Sequence, residues 1–165
     1  MDIIIETPNG SREKFKFDEG LQLFRLLKTL PAGLSFPFDF GFIPGTRGED
    51  GDPLDVMVIS EFDSFAGCVM DCRIIGCLKA GQVRQEKTIR NDRFLAIPEQ
   101  TIVFENVLSL EELPPTLLME IESFLTTYMH LEGKEFMFLG KLNAAETSAF
   151  LKDKMGTAGK TLVKP

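Results

Sequence analysis

Short apolar runs separated by turn residues fill the chain before residue 100, and this spacing constrains the fold more than any other feature. Residues 3–5 are Ile-Ile-Ile, and the turn sequence Thr-Pro-Asn-Gly follows at residues 7–10. Residues 14–17 alternate lysine and phenylalanine, as expected of a strand whose successive side chains point to opposite faces. The sequence therefore predicts a β-rich body.

The pattern continues through the segments that follow. The further predicted strands are residues 21–27, 56–59, 67–78 and 93–97. For the first of these a helix remains open, because its apolar spacing is mixed. Residues 36–53 are rich in proline and glycine, which excludes a long regular element there. The polar residues 79–92 predict a hairpin tip or a mobile loop.

The last third of the chain changes to helical periodicity. An apolar stripe after Pro115 predicts an amphipathic helix, and its members are Leu117, Ile121, Phe124, Leu125 and Tyr128. Residues 135–139 predict a short strand, and Asn143 with Glu146 resembles the capping box of a second helix that ends near residue 155. The predicted fold is mainly β with α (α+β), a small barrel with two peripheral helices.

Length and composition indicate a single globular domain over residues 1–155, with residues 156–165 as a flexible C-terminal tail. The 165 residues are 44% apolar, which is enough for a self-supporting core. With 18 basic against 25 acidic residues, the net charge of −7 disfavours nucleic acid as a partner. No apolar stretch is long enough to predict a membrane span. Three cysteines without metal-binding spacing predict free thiols and a cytoplasmic location.

Four carboxylates lie within residues 49–55, and they are Glu49, Asp50, Asp52 and Asp55. Like charges this close repel one another, so they predict either a solvated acidic turn or a cation site. An EF-hand calcium loop is excluded because Leu54 and Asp55 occupy its fifth and sixth positions. A layout in which Asp50 and Asp55 converge while Asp52 stays free suits a magnesium-activated water with a carboxylate base.

Two linked motifs give this segment a family resemblance. Residues 50–56, Asp-Gly-Asp-Pro-Leu-Asp-Val, match the D-x-D-P-[apolar]-D-[apolar] motif of the soluble family I inorganic pyrophosphatases. Residues 36–46 resemble the Y-P-x-N-Y-G-x-I-P-x-T run of that family. The flanking pieces in register are residues 5–8, 12–17, 67–78, 96–98 and 128–140, together with Arg25. The resemblance covers nearly the whole chain.

The resemblance implies a five-stranded OB-like β-barrel with two peripheral helices, in a cytoplasmic homo-oligomer that is often a hexamer in bacteria. It implies Mg²⁺-dependent hydrolysis of pyrophosphate to two phosphates by a metal-activated water. Carried over by position, Asp50 and Asp55 would bind metals, Asp52 would be the general base and Glu6 would support an outer metal. The residues that would hold phosphate oxygens are Lys14, Arg25 and Tyr128.

Several positions depart from the family pattern. Lys16 stands where the family has a carboxylate, Phe40 replaces a tyrosine, and Met129 replaces a lysine. Asn91 falls on a metal-binding aspartate, although a shift by one residue would bring Asp92 to that position, and Glu86 matches a second acid of that loop. Arg93 falls on a lysine, and Arg93 and Lys16 are further candidates for binding substrate. The net change in charge at Lys16, Asn91 and Met129 equals the charge of one Mg²⁺ ion. It suggests the hypothesis that Lys16 replaces an outer metal.

Two other functions remain open at this point. The departures are compatible with a catalytically impaired pyrophosphatase-like protein that binds phosphate, metal or a partner, because each lost contact lowers the rate of phosphoryl transfer. An OB-type oligonucleotide binder is the third possibility, although the negative net charge opposes it. The retained acids Asp50, Asp52 and Asp55 favour the active hydrolase.

Overall fold

The computed structural model of the chain describes residues 1–84 and 87–158, and it does not describe the side chains of residues 84, 87 and 156–158. The elements in chain order are β1 (Asp2–Thr7), β2 (Glu13–Asp18), β3 (Leu23–Thr29), β4 (Asp39–Ile43), β5 (Leu54–Val58), β6 (Val69–Arg84), β7 (Lys87–Arg90), β8 (Arg93–Pro98), α1 (Pro115–Leu131), β9 (Phe136–Leu142) and α2 (Ala144–Ala158). A short 3-10 helix, Leu110–Glu112, precedes α1.

Five strands close into a ring, in the order β1, β4, β5, β8, β6 and back to β1. The pairs are antiparallel except β5 with β8, which run parallel. Strands β7 and β9 pair with β6 outside the ring, and β2 with β3 forms a separate hairpin. The predicted α+β fold, a five-stranded barrel with two helices, is therefore confirmed.

Strand β6 closes the ring because it is long and bent. Its pairing with β8 shifts register between Ile74 and Gly76, and its pairing with β9 shifts between Lys79 and Ala80. Bulges of this kind bend a strand and increase its twist. At Gly76 the backbone has φ +156, and an added Cβ would lie 2.4 Å from the Leu110 side chain. Only glycine fits this corner.

Both faces of β5 and β8 are apolar, and each face packs against a different helix. Val56 and Phe94 belong to a buried cluster that includes Leu151 of α2. Their neighbours Met57 and Leu95 belong to a second cluster that α1 covers. This alternation follows from the two-residue period of a strand. It explains why residues 56–58 of β5 and 94–97 of β8 are continuously apolar and do not alternate.

Several segments differ from their predicted boundaries. Residues 23–29 form a strand, so the helix alternative for this segment is wrong. The glycine- and proline-rich segment contains the buried strand β4. Residues 79–84 and 87–90 are paired strand, because β9 pairs with β6 at residues 79–82 and β7 pairs with β6 at residues 81–84.

Helix α1 begins at Pro115 as predicted. The capping box of α2 is present: the Glu146 N–H donates to Asn143 Oδ1 and the Asn143 N–H donates to Glu146 Oε2, both at 2.9 Å. The helix continues to Ala158, and residues 159–165 of the predicted tail lie outside the described residues. None of the described helices is long and apolar enough to cross a membrane.

Candidate active site

The acidic loop between β4 and β5 carries Glu49, Asp50 and Asp52, and Asp55 follows as the second residue of β5. Hydrogen bonds within the loop fix its path. Thr46 Oγ1 donates to the carbonyl of Ile43 at 2.6 Å and accepts from the Leu54 N–H at 3.0 Å. The Gly48 N–H donates to the carbonyl of Asp52 at 2.8 Å. Gly51 turns the chain with φ +89, a conformation that favours glycine. The acidic side chains therefore project from a folded loop.

A cavity of about 250 Å³ lies beside this loop. Its described lining contains four carboxylates and five cationic side chains, which are Glu6, Asp50, Asp52, Asp55, Lys14, Lys16, Lys28, Arg93 and Lys134. Tyr128, Asn91, Phe40 and Met129 also line it. Acids and bases from distant parts of the chain thus converge on one concave site, as expected of a site for a charged ligand.

Asp55 of β5 forms an ion pair with Arg93 of the neighbouring strand β8. Arg93 Nη1 lies 2.5 Å from Asp55 Oδ2, and the two side chains are 5% and 23% exposed. Arg93 also donates to the Asn91 side-chain oxygen. Its Nε is buried and has no hydrogen-bond partner among the described residues. The guanidinium is thus held by the barrel and retains one unused donor.

Asp52 forms the second ion pair of the loop, with Lys16 of β2. Lys16 Nζ lies 2.8 and 2.9 Å from the two carboxylate oxygens of Asp52. The side chains are 44% and 55% exposed, so water has access to both. The hydrogen bond to Asp52 raises the pKa of Lys16, and the negative charges of Glu6 and Asp55 raise it further. Burial lowers this pKa but does not cancel the rise.

Glu6 and Asp50 form no ion pair among the described residues. Burial raises the pKa of Glu6 and the Asp55 charge adds to the rise, although the Phe17 N–H donates to Glu6 at 2.7 Å. Partial burial, followed by the charges of Asp55 and Asp52, raises the pKa of Asp50. Both carboxylates are therefore destabilised as anions, and a cation in the cavity would relieve this.

Lys14 and Lys28 approach Tyr128 from the β2–β3 hairpin. Lys14 Nζ donates to the Tyr128 hydroxyl at 3.1 Å, and Lys28 Nζ lies 5.0 Å from the centroid of its ring. Burial opposes the charge on Lys28, but hydrogen bonds to Glu132 and Tyr128 raise its pKa. Tyr128 is itself buried and stacks on Phe124. Lys28 also forms an ion pair with Glu132, so two lysines line this side of the cavity, one paired with a carboxylate and one bonded to a tyrosine hydroxyl.

Two of the described sequence-predicted residues, Arg25 and Asp92, do not line this cavity. Arg25 is the cross-strand partner of Lys16, but its guanidinium pairs with Asp18 at 3.0 Å. Asp92, the one-residue alternative to Asn91, is buried, accepts from the Ala80 N–H at 3.0 Å and pairs with Arg90. Glu86 lies outside the described residues.

Lys28 and Lys134 line the cavity, and the sequence interpretation missed both. Lys28 lies opposite Lys14 in the β2–β3 hairpin, and this pairing could have identified it. The pairing can be recognised only when the register of the two strands is known. Lys134 follows the end of α1, and its position depends on how that helix packs. Neither could be identified from a local motif.

The donor chemistry of the cavity suits a hard divalent cation, because all four acids offer carboxylate oxygens. Within residues 1–84 and 87–158, no three acidic, cysteine or histidine side chains converge closely enough to hold a metal as they stand. Two of the acids are instead engaged by Lys16 and Arg93. A metal ion would therefore compete with these two side chains.

Comparisons with known proteins agree with the fold and the motifs. A family model described as inorganic pyrophosphatase matches residues 3–158. The chain is 36% identical to an inorganic pyrophosphatase from Nostoc sp. over 151 residues, which are 92% of this chain and 87% of that protein. It is also 36% identical over 153 residues to an inorganic pyrophosphatase from Halalkalibacterium halodurans, covering 93% and 91%.

Solved structures give the same result. The crystal structure of an inorganic pyrophosphatase from Neisseria gonorrhoeae superposes with a TM-score of 0.86 at 27% identity, covering 97% of this chain and 91% of that one. The inorganic pyrophosphatase from Thermus thermophilus gives 0.88 at 26% identity, with 96% and 91% covered. Because the agreement in sequence and fold extends over nearly the whole chain, this protein belongs to the inorganic pyrophosphatase family.

Proposed function

We propose that this protein hydrolyses pyrophosphate to two phosphates with Mg²⁺ as cofactor, in the cavity beside the acidic loop. Family membership implies a divalent metal cofactor and supports this activity. The observation that carries the proposal is one cavity in which four carboxylates face five cationic side chains. Phosphoryl transfer depends mainly on positioning and on neutralising charge, and such a lining supplies both.

Asp50, Asp55 and Glu6 are the residues that would hold the metal. Bound there, Mg²⁺ would shield the charge of the substrate and lower the pKa of a water molecule. The raised pKa values of Asp50 and Glu6 support this assignment, because a nearby cation would favour both charged forms. Asn91 and Glu86 stay predicted ligands: the Asn91 oxygen accepts from Arg93, and Glu86 is not described.

Asp52 is the proposed general base, which takes a proton from the attacking water. Its carboxylate lines the cavity and is 55% exposed, so water can reach it. Lys16 engages both oxygens of this carboxylate in the structure. Each oxygen keeps a second lone pair, through which it can accept a proton while Lys16 stays in place.

Lys14, Tyr128 and Arg93 are the proposed phosphate-binding residues, and Lys28 joins them from the structure. Lys14 and Lys28 hold two ammonium groups at one edge of the cavity beside Tyr128. Arg93 also lines the cavity, and a guanidinium there suits a ligand rich in acceptor oxygens. Arg25 stays a predicted ligand, and its pairing with Asp18 means that it must reorient to reach substrate.

The test is phosphate release from magnesium pyrophosphate by wild-type protein and by Asp52→Asn. Loss of a general base is expected to lower the rate about 10²- to 10⁴-fold. Asp63→Asn, which alters an exposed acid outside the cavity, is the matched control and should retain the wild-type rate. Equal rates for wild type and Asp52→Asn would remove Asp52 as the base.

A second function, a catalytically impaired binding protein, is favoured by one observation. Lys16 and Arg93 already neutralise Asp52 and Asp55, two of the acids on which hydrolysis would depend. In that case wild-type protein would bind phosphate measurably by calorimetry and would release no phosphate from magnesium pyrophosphate. Any Asp52-dependent turnover excludes it.

We further propose that the protein is a cytoplasmic homo-oligomer. Exposed apolar side chains on β3 support self-association, since Leu23 and Leu26 are each more than half exposed. Free thiols support a reducing compartment, and burial raises the pKa of Cys72 and of Cys77 to about 12. Light scattering coupled to gel filtration tests the first point, with a monomer mass contradicting it.

A further inference from the structure

The ammonium group of Lys16 lies among the acids of the cavity. It bridges both oxygens of Asp52, and the negative charges of Glu6 and Asp55 also stabilise it. A positive group surrounded by carboxylates in this way occupies the kind of environment that a bound cation would occupy. On the exposed side of the loop, the Lys16 ammonium group takes the position that such a cation would take.

Arg93 differs from Lys16 in its freedom to move. The Arg93 guanidinium is almost fully buried and is held by Asp55, Asn91 and the backbone of Asp92. The Lys16 side chain is 44% exposed, and Asp52 is its hydrogen-bond partner in the structure. A lysine on a flexible four-carbon stem can leave one carboxylate for another anion without disturbing the fold.

We infer that Lys16 is a tethered counter-cation that competes with divalent metal ions for Asp52 and the neighbouring acids, and that attracts the substrate anion when no metal is present. Two consequences of opposite sign follow. Removing the charge of Lys16 strengthens metal binding and weakens metal-free binding of a pyrophosphate-like anion. This inference rests on the proposed function for the identity of the anion. The part of the test that measures metal binding, the metal arm, requires no turnover.

The metal arm measures the affinity for Mg²⁺ by calorimetry, in wild type and in Lys16→Gln, without substrate. We expect binding about tenfold tighter in Lys16→Gln, because one repelling unit charge is lost from a partly solvated site. Lys16→Arg keeps the charge and should stay within about twofold of wild type. Lys152→Gln removes a charge from an exposed lysine of α2 and is the matched control, with no expected change.

The anion arm measures binding of imidodiphosphate, a non-hydrolysable analogue of pyrophosphate, in the presence of EDTA. Lys16→Gln should bind it about tenfold more weakly than wild type, while Lys16→Arg and Lys152→Gln should match wild type. A purely structural role of Lys16 would weaken both ligands together. Opposite changes for metal and anion therefore separate the proposed role from a general loss of site geometry.

Equal Mg²⁺ affinity in wild type and a natively folded Lys16→Gln would overturn the inference, with folding checked by circular dichroism. If that variant does not fold, NMR of lysine ammonium signals in wild type provides the test, assigned with Lys16→Arg. Saturating Mg²⁺ should shift the Lys16 signal, and an unmoved signal would again overturn the inference. A wild type without hydrolytic activity but with the expected metal arm would contradict only the proposed function.

Discussion

The two ion pairs of the acidic loop differ in burial and in what they connect. Asp55 and Arg93 join two adjacent strands of the barrel and are largely buried. Asp52 and Lys16 join the loop to the β2–β3 hairpin and are about half exposed. Breaking a buried pair from one side leaves an uncompensated charge, whereas exposed pairs contribute little. One pair therefore belongs to the barrel, and the other is free to exchange with ligands.

The largest effect on stability is expected for Arg93→Met. The substitution leaves Asp55 without its cation and should lower the free energy of unfolding by about 3 kcal/mol. Urea denaturation at pH 7 measures this change in the free energy of unfolding. Adding Asp55→Asn to Arg93→Met should recover part of the loss, and a double variant no more stable than Arg93→Met would mean that packing of the guanidinium, not charge, is responsible.

Glu6→Gln is expected to have a smaller effect on stability, and of opposite sign. Glu6 lines the same cavity but forms no ion pair among the described residues. Its folded-state pKa is raised by burial, so charged Glu6 destabilises the native state at neutral pH. The neutral amide should raise the free energy of unfolding by about 1 kcal/mol at pH 7. Stability curves at several pH values measure this gain.

The pH dependence fixes the sign of the Glu6 prediction. The folded protein binds the Glu6 proton more tightly than the unfolded chain, so the penalty is present above the raised pKa. It disappears as the pH falls through that pKa and below the ordinary value of 4.5. A gain in Glu6→Gln that persists at low pH would show that the charge of Glu6 is not its cause.

The smallest effect on stability is expected for Lys16→Met. Both partners of this ion pair are about half exposed, so the loss should be less than about 1 kcal/mol. The same urea experiment at pH 7 measures it beside Arg93→Met. A loss as large as that of Arg93→Met would break the distinction between the two pairs and would make Lys16 part of the stable framework.

Local patterns were sufficient for the features that depend on neighbouring residues. The apolar stripe placed α1, the Asn143 and Glu146 pair placed the start of α2, and the motif at 50–56 identified the acidic loop. They failed for β7 and for the far end of β6, which are strands because these two segments pair with each other and β9 also pairs with β6 there. Polar strands of this kind carry no apolar alternation.

The sequence by itself determined the β-rich fold, the two helices and the acids Asp50, Asp52 and Asp55, because periodicity and a local motif encode them. Only the tertiary structure decided which cations meet those acids. Strand register brings Lys28 to the cavity while Arg25 pairs with Asp18, and the parallel pairing of β5 with β8 sets Arg93 beside Asp55. Such partners are distant in the chain, and their distances depend on strand pairing and register, which no local pattern specifies.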